Sequence, residues 1–169
     1  MDLCGLLKPQ GRLGHRYFLT MLDDYSGYSV VKLLHTKDGA AGVIQATFNQ
    51  LSTGTGLTIK TVRTDRGGEF LNTELATFLA SKGIQHQKTV PYSPEQNGKA
   101  ERLNRTLLIK TRTLLADSPF DKTFWGEALL TANHLRNLSP VSGKPAVPWE
   151  LLFNAKPDVS GLRQFGCLA

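Results

Sequence analysis

Cysteine is scarce in this sequence. Cys4 and Cys167 are the only two among 169 residues, too distant for a Cys-x-x-Cys pair and too few for a zinc quartet or a disulfide framework. The histidines, His15, His35, His86 and His134, are equally scattered, so no structural zinc site is expected and the chain suits a reducing cytosol or nucleus. Long apolar runs are missing as well: no stretch approaches the roughly 18 apolar residues that span a bilayer. Met1 runs straight into Asp2 with neither a basic n-region nor an apolar h-region behind it, so no secretory signal is expected. Repeats and low-complexity tracts are lacking, and aromatics make up only 8% of the chain.

What is present reads as one soluble globular domain, since 40% of residues are hydrophobic and 20% charged over a length that can bury a core. Lys and Arg number 20 against 14 Asp and Glu, a net charge of +6. That excess favours polyanionic partners.

Alternating runs at residues 17–22 and 28–34, joined by the turn-rich Asp23-Asp-Tyr-Ser-Gly27, predict an antiparallel hairpin. Val43, Ile44, Phe48 and Leu51 fall at helical spacing within 38–53, and Thr53-Gly-Thr-Gly56 predicts the break. A strand over 57–63, a short helix over 74–82 stopped by Gly83, and a strand over 84–90 follow. Residues 91–98 carry loop chemistry. They lead into a long helix, 99–116, whose buried face is marked by Ala100, Leu103, Leu107 and Leu114. Another helix over 122–138 contains Trp125, Leu129 and Leu135. A Pro/Gly-rich connector at 139–148, a helical turn at 149–153 and an irregular tail complete the chain. This order predicts a mixed α/β layer fold, helices packed on a central sheet.

Three acids stand out by position: Asp2 at the entry to a first strand, Asp65 just past a strand end, and Glu101 in the first turns of the long helix. Carboxylates brought together from different elements suit a two-metal phosphoryl-transfer site, because Mg²⁺ takes hard oxygen ligands and keeps positions open for substrate. Each also has a plain alternative: Asp65 capping the turn at Gly67-Gly68, Glu101 favouring a helix N-terminus, Asp2 as terminal surface.

Four blocks weigh on that choice: Asp2-Leu-Cys-Gly5, the run from Tyr17 to Gly27, Arg63-Thr-Asp-Arg-Gly-Gly-Glu-Phe70, and the run from Pro91 to Arg105 containing Gln-Asn-Gly-Lys-Ala-Glu101. In this order, with 35 residues between Asp65 and Glu101, they resemble the integrase catalytic core of copia-type LTR retrotransposons. Pro148-Trp-Glu150 and Phe165-Gly-Cys167 resemble the segment that follows that core.

The resemblance implies a ribonuclease H-like α/β fold, a central mixed sheet flanked by helices. Its catalytic and metal-holding triad would be Asp2, Asp65 and Glu101, with two Mg²⁺ ions, replaceable by Mn²⁺. The activity implied is that of a polynucleotidyl transferase, trimming DNA 3′ ends and joining them to a target. Double-stranded DNA is the implied partner, a homo-oligomer the implied state, and the nucleus the implied site of action after a cytoplasmic stage. Lys99, Arg102 and Arg105 on the catalytic helix are the expected DNA contacts, with Lys110 and Arg112 adding charge. Asn97-Gly98 resembles a mobile loop ahead of that helix. Asp23 and Asp24 belong to a hairpin turn on this reading, and Phe124 and Trp125 to the core. The first strand, opening at Asp2, is expected to be truncated and loosely held, leaving the chain alone nearly inactive. The core is expected over 1–138, followed by a connector and tail over 139–169. Two other readings stay open: a non-catalytic nucleic-acid-binding remnant of a degenerate element, and a ribonuclease H-like nuclease.

Overall fold

The computed structural model describes residues 1–89 and 98–167. Strand β1 (Asp2–Gly5) pairs antiparallel with β2 (Tyr17–Leu22), and β2 with β3 (Ser29–Leu34), so that Thr20 lies between Asp2 and Val31. Strands β4 (Thr61–Thr64) and β5 (Gln85–Lys88) form a separate parallel ladder. The Met1 ammonium donates to the Arg63 carbonyl at 2.6 Å, which sets the start of β1 beside the end of β4. Antiparallel and parallel strands thus meet where Asp2 and Asp65 are placed.

Side chains alternate across a strand, and β2 feeds two cores. Leu19 and Met21 join one, closed by Ile44 and Phe48 of α1 (Ala40–Thr55) and by Leu75 and Leu79 of α2 (Thr73–Ser81). Phe18 joins the other, closed by Leu103 and Leu107 of α3 (Gly98–Ala116) and by Trp125 and Leu129 of α4 (Trp125–Asn137). Helices therefore cover both faces. Gly126 permits the close approach of α4 to β3, since a Cβ there would sit 2.8 Å from a Leu33 methyl. Helix α5 (Pro148–Phe153) lays Trp149 and Phe153 edge-on against Tyr28, with centroids 6.2 and 5.4 Å away.

A buried polar clamp fixes the start of β3. Ser29 is fully buried, and its N–H donates to Asn137 Oδ1 at 2.9 Å. Its hydroxyl donates to Asn133 Oδ1 at 2.5 Å, and its carbonyl accepts from both asparagine amides at 2.9 and 2.8 Å. Asn133 and Asn137 stand four residues apart, on one face of α4.

Several boundaries differ from expectation. The strand expected over 57–63 shortens to Thr61–Thr64, because its pairing starts only where Gln85 lies opposite Thr61, and Leu57 is 58% exposed. The strand expected over 84–90 is Gln85–Lys88; the Ile84 N–H turns back to the Leu79 carbonyl at 2.8 Å. The first helix runs two residues past 53 and ends within the expected break, at Gly56, whose φ of 69° is a left-handed conformation that glycine adopts without strain. The helix expected from 122 opens with a 3₁₀ turn, Lys122–Phe124, capped by the Asp121 carboxylate, before α4 begins. Gly98, expected in the loop, starts α3. Residues 90–97, Asn97 of the expected mobile loop included, lie outside the described residues.

Candidate active site

Each candidate acid is delivered by a different element. Asp2 opens β1, its carbonyl accepting from the buried Thr20 hydroxyl at 3.3 Å. Asp65 follows the last residue of β4, and its Oδ1 accepts the Gly67 N–H at 2.9 Å. That bond turns the chain sharply beyond the strand, as the capping alternative foresaw. Gly67 has φ −58° and ψ 141°, open to any residue, so its glycine is not required by a left-handed turn. A Cβ there would instead meet the Glu69 carboxyl carbon at 2.7 Å. Glu101 sits in the first turn of α3 with its side chain exposed.

Asn104, one turn along α3, reaches back from this helix to the sheet. Its Nδ2 donates to Asp2 Oδ2 at 2.7 Å. Asn104 is 7% exposed, and its buried Oδ1 has no hydrogen-bond partner among the described residues. Sequence reasoning missed this residue. Its signal was a polar side chain on the apolar stripe formed by Ala100, Leu103 and Leu107.

Electrostatics ties the three acids together. Burial pushes the Asp2 pKa above the usual carboxylate range; Asp65 and, more weakly, Glu101 push it further, while the N-terminal ammonium and the Leu3 N–H pull back. Asp2 thus feels both other acids through space. Among the described residues no three His, Cys, Asp or Glu side chains gather tightly enough to hold a metal ion. Asp2 lies within electrostatic reach of Asp65 and of Glu101, but the described residues do not close into a coordination shell. The donor set, oxygen only and drawn from three elements, with a buried orphan amide oxygen beside it, is of the kind that hard divalent cations take.

The basic residues divide. Arg102 and Arg105 are exposed on α3. Lys99 is also exposed, but its ammonium pairs with the Asp24 carboxylate across the β2–β3 turn. Asp23 builds that turn, accepting from the Ser26 N–H at 2.7 Å and the Ser26 hydroxyl at 2.6 Å. Trp125 is buried and donates its indole N–H to the Pro9 carbonyl at 3.1 Å. Phe124 stacks on Phe120 with centroids 4.4 Å apart.

Comparison with known proteins decides the family. The model of the integrase core domain matches residues 1–94. The chain belongs to the integrase core domain family. It is 40% identical over 169 residues to the retrovirus-related Pol polyprotein from transposon TNT 1-94 of Nicotiana tabacum, covering 99% of this chain and 13% of that one. It is 31% identical over 157 residues to the Pol polyprotein from transposon RE1 of Arabidopsis thaliana, covering 90% of this chain and 10% of that one. Against the Ty1-LR3 Gag-Pol polyprotein of Saccharomyces cerevisiae the identity is 32% over 169 residues, 98% of this chain and 10% of that one. The chain spans only 10–13% of these relatives. Among solved structures it is similar to a chain of the simian T-cell lymphotropic virus intasome bound to the PP2A regulatory subunit B56 gamma. The TM-score is 0.71 at 18% identity, over 95% of this chain and 57% of that one. The fold of this integrase core is thus ribonuclease H-like α/β, but the single central mixed sheet expected from the sequence is, among the described residues, an antiparallel three-stranded sheet and a parallel two-stranded one, linked where Met1 meets Arg63.

Proposed function

We propose that this integrase core is the catalytic unit of a copia-type retrotransposon integrase, a metal-dependent polynucleotidyl transferase that trims DNA 3′ ends and joins them to a target duplex. The observation that carries this reading is the Asp2 carboxyl, perturbed by both Asp65 and Glu101 and hydrogen bonded by Asn104 from the catalytic helix.

In this reading Asp2, Asp65 and Glu101 would hold two divalent cations of the Mg²⁺ type, which when bound would acidify the attacking water or hydroxyl and stabilise the leaving oxygen. The reaction is an in-line displacement at phosphorus. Water, or a DNA 3′-hydroxyl, forms the new P–O bond as the bond to the leaving 3′-oxygen breaks, and no covalent enzyme intermediate arises. The chain's own part is fixity. Asn104 holds one oxygen of Asp2, and the Gly67 N–H holds one oxygen of Asp65. Arg102 and Arg105, exposed on the helix that carries Glu101, are placed to take backbone phosphates. The resemblance to a chain of a viral intasome supports a homo-oligomeric assembly on DNA.

The second reading is a non-catalytic DNA-binding remnant, favoured by carboxylates that stand short of a coordination cluster. A labelled duplex end incubated with the chain and Mg²⁺ or Mn²⁺ separates the readings. Joining to a second duplex that disappears in Glu101→Gln supports the transferase. Binding without joining leaves the remnant, and cleavage without joining favours a nuclease.

A further inference from the structure

Thr64, the last residue of β4, is fully buried, and its hydroxyl makes two contacts in opposite directions. It lies 2.8 Å from the carbonyl oxygen of Asp65 and 2.8 Å from Nε2 of His86 on β5. A hydroxyl has one proton and accepts through its lone pairs. If that proton went to the imidazole, two acceptor oxygens would face each other at 2.8 Å. The hydroxyl therefore donates to the Asp65 carbonyl and accepts from His86, which requires the Nε2–H tautomer. Burial, with Lys88 and the N-terminal ammonium, pushes the His86 pKa down, in keeping with a neutral ring carrying one N–H.

The parallel register explains how these groups meet. Val62 lies opposite His86 and Thr64 opposite Lys88, so Thr64 and His86 are diagonal neighbours on one face of the ladder. The Thr89 N–H donates to the Thr64 carbonyl at 3.0 Å, and the Met1 ammonium holds the Arg63 carbonyl, so the strand is gripped from both sides just before Asp65. Two separate bonds then set Asp65. The Gly67 N–H fixes its carboxylate, and the Thr64 hydroxyl fixes its carbonyl, hence its backbone rotation.

We propose that Thr64 and His86 are positioning residues for Asp65, a relay in which the imidazole N–H orients the threonine hydroxyl and the hydroxyl locks the backbone that presents the carboxylate. The proposal rests on the reading of Asp65 as a catalytic carboxylate. Neither residue touches DNA or a reacting atom in this scheme. Their effect is on the Asp65 position alone, where a displacement of about 1 Å can cost on the order of a hundredfold in rate.

The test uses the full chain with Thr64→Val, Thr64→Ser, His86→Ala, His86→Gln and the Val/Ala double variant. Two readouts are taken: hydrogen exchange of the Gly67 amide, which reports how firmly the Asp65 carboxylate is held, and the rate of joining at saturating DNA. Thr64→Val keeps the shape and loses the hydroxyl. It is expected to speed Gly67 exchange and slow joining, each by roughly tenfold, with KM for DNA unchanged. His86→Ala is expected to do the same, and the double variant to add nothing, because both residues act through one path. Thr64→Ser, and His86→Gln, whose side-chain amide still donates, should recover most of the loss. Gly67 exchange unchanged in Thr64→Val, or effects that multiply in the double variant, overturns the relay. Should Thr64→Val lose its cooperative unfolding transition, His86→Ala, at a half-exposed position, decides on the same readouts. If the wild-type chain joins no DNA, the proposed function fails, while Gly67 exchange still decides the relay.

Discussion

Asn104 donates its amide to Asp2 Oδ2 at 2.7 Å while its own buried Oδ1 has no partner among the described residues. The residue thus commits an amide hydrogen to one carboxylate and leaves its carbonyl oxygen unmet, a cost that packing alone does not explain. Asn104→Ala removes a bond to a charged group, worth about 1.5–3 kcal/mol, and an orphaned acceptor costing about 1–3 kcal/mol. The two nearly offset, so the melting temperature should move little. Joining, by contrast, should fall at least roughly tenfold as Asp2 loses its tether. Loss of stability in step with activity would show that Asn104 serves packing alone.

Asp2 gives a pH-dependent prediction. Its folded pKa lies above the ordinary 3.8, so the folded state holds the proton more tightly than the unfolded chain. Stability therefore falls as pH rises from about 3.8 through the raised value, and stays reduced at neutral pH. Asp2→Asn keeps an oxygen for Asn104 and removes the charge that burial, Asp65 and Glu101 disfavour. It should abolish joining yet stabilise the chain at pH 7 by on the order of 1 kcal/mol, about 2–4 °C in melting temperature. Near pH 3 the gain should vanish. Melting curves across that range check it, and an equal gain at both ends would refute the assignment.

The Ser29 clamp bears on the fold rather than the chemistry. Asn137→Ala leaves the Ser29 N–H buried without its acceptor, and that orphan costs about 1–3 kcal/mol. The melting temperature should drop by roughly 2–4 °C per kcal/mol. DNA affinity per folded molecule should be unchanged, because α4 carries none of the proposed DNA contacts.

Periodicity made the helices legible. Ala100, Leu103 and Leu107 mark the stripe of α3, and Ile44 with Phe48 that of α1, because a helix facing a sheet must repeat its apolar residues every third or fourth position. The short strands β4 and β5 were legible only as blurs. Their limits are set by register against each other, Thr61 opposite Gln85, across 23 intervening residues that no local pattern encodes. The acids of the candidate site were visible through the motifs around Asp2, Asp65 and Glu101. The groups that hold them were not: Asn104 meets Asp2 from 102 residues away, and His86 meets Thr64 across neighbouring strands. Lys99 shows the same limit. As a lone basic residue on a helix it reads as a phosphate contact, and only the fold reveals that Asp24, 75 residues earlier, already occupies it.

That last pair yields the final prediction. Asp24 competes with DNA for Lys99, so Lys99 should contribute less to affinity than Arg102 or Arg105, which make no ion pair among the described residues. Arg105→Ala should weaken duplex binding about equally for all sequences and lower the slope of log affinity against log salt by about one, the mark of a lost phosphate contact. Lys99→Ala should lower it by less. Asp24→Asn should do the reverse, freeing Lys99. Affinity at low salt should rise by up to about fivefold, since an exposed pair is worth no more than about 1 kcal/mol, and the salt slope should steepen. Titration of a fluorescent duplex at several salt concentrations measures all three. If Asp24→Asn binds no tighter than the parent while Lys99→Ala matches Arg105→Ala, the pair does not compete with DNA, and Lys99 is as free to bind phosphate as its place in the sequence suggested.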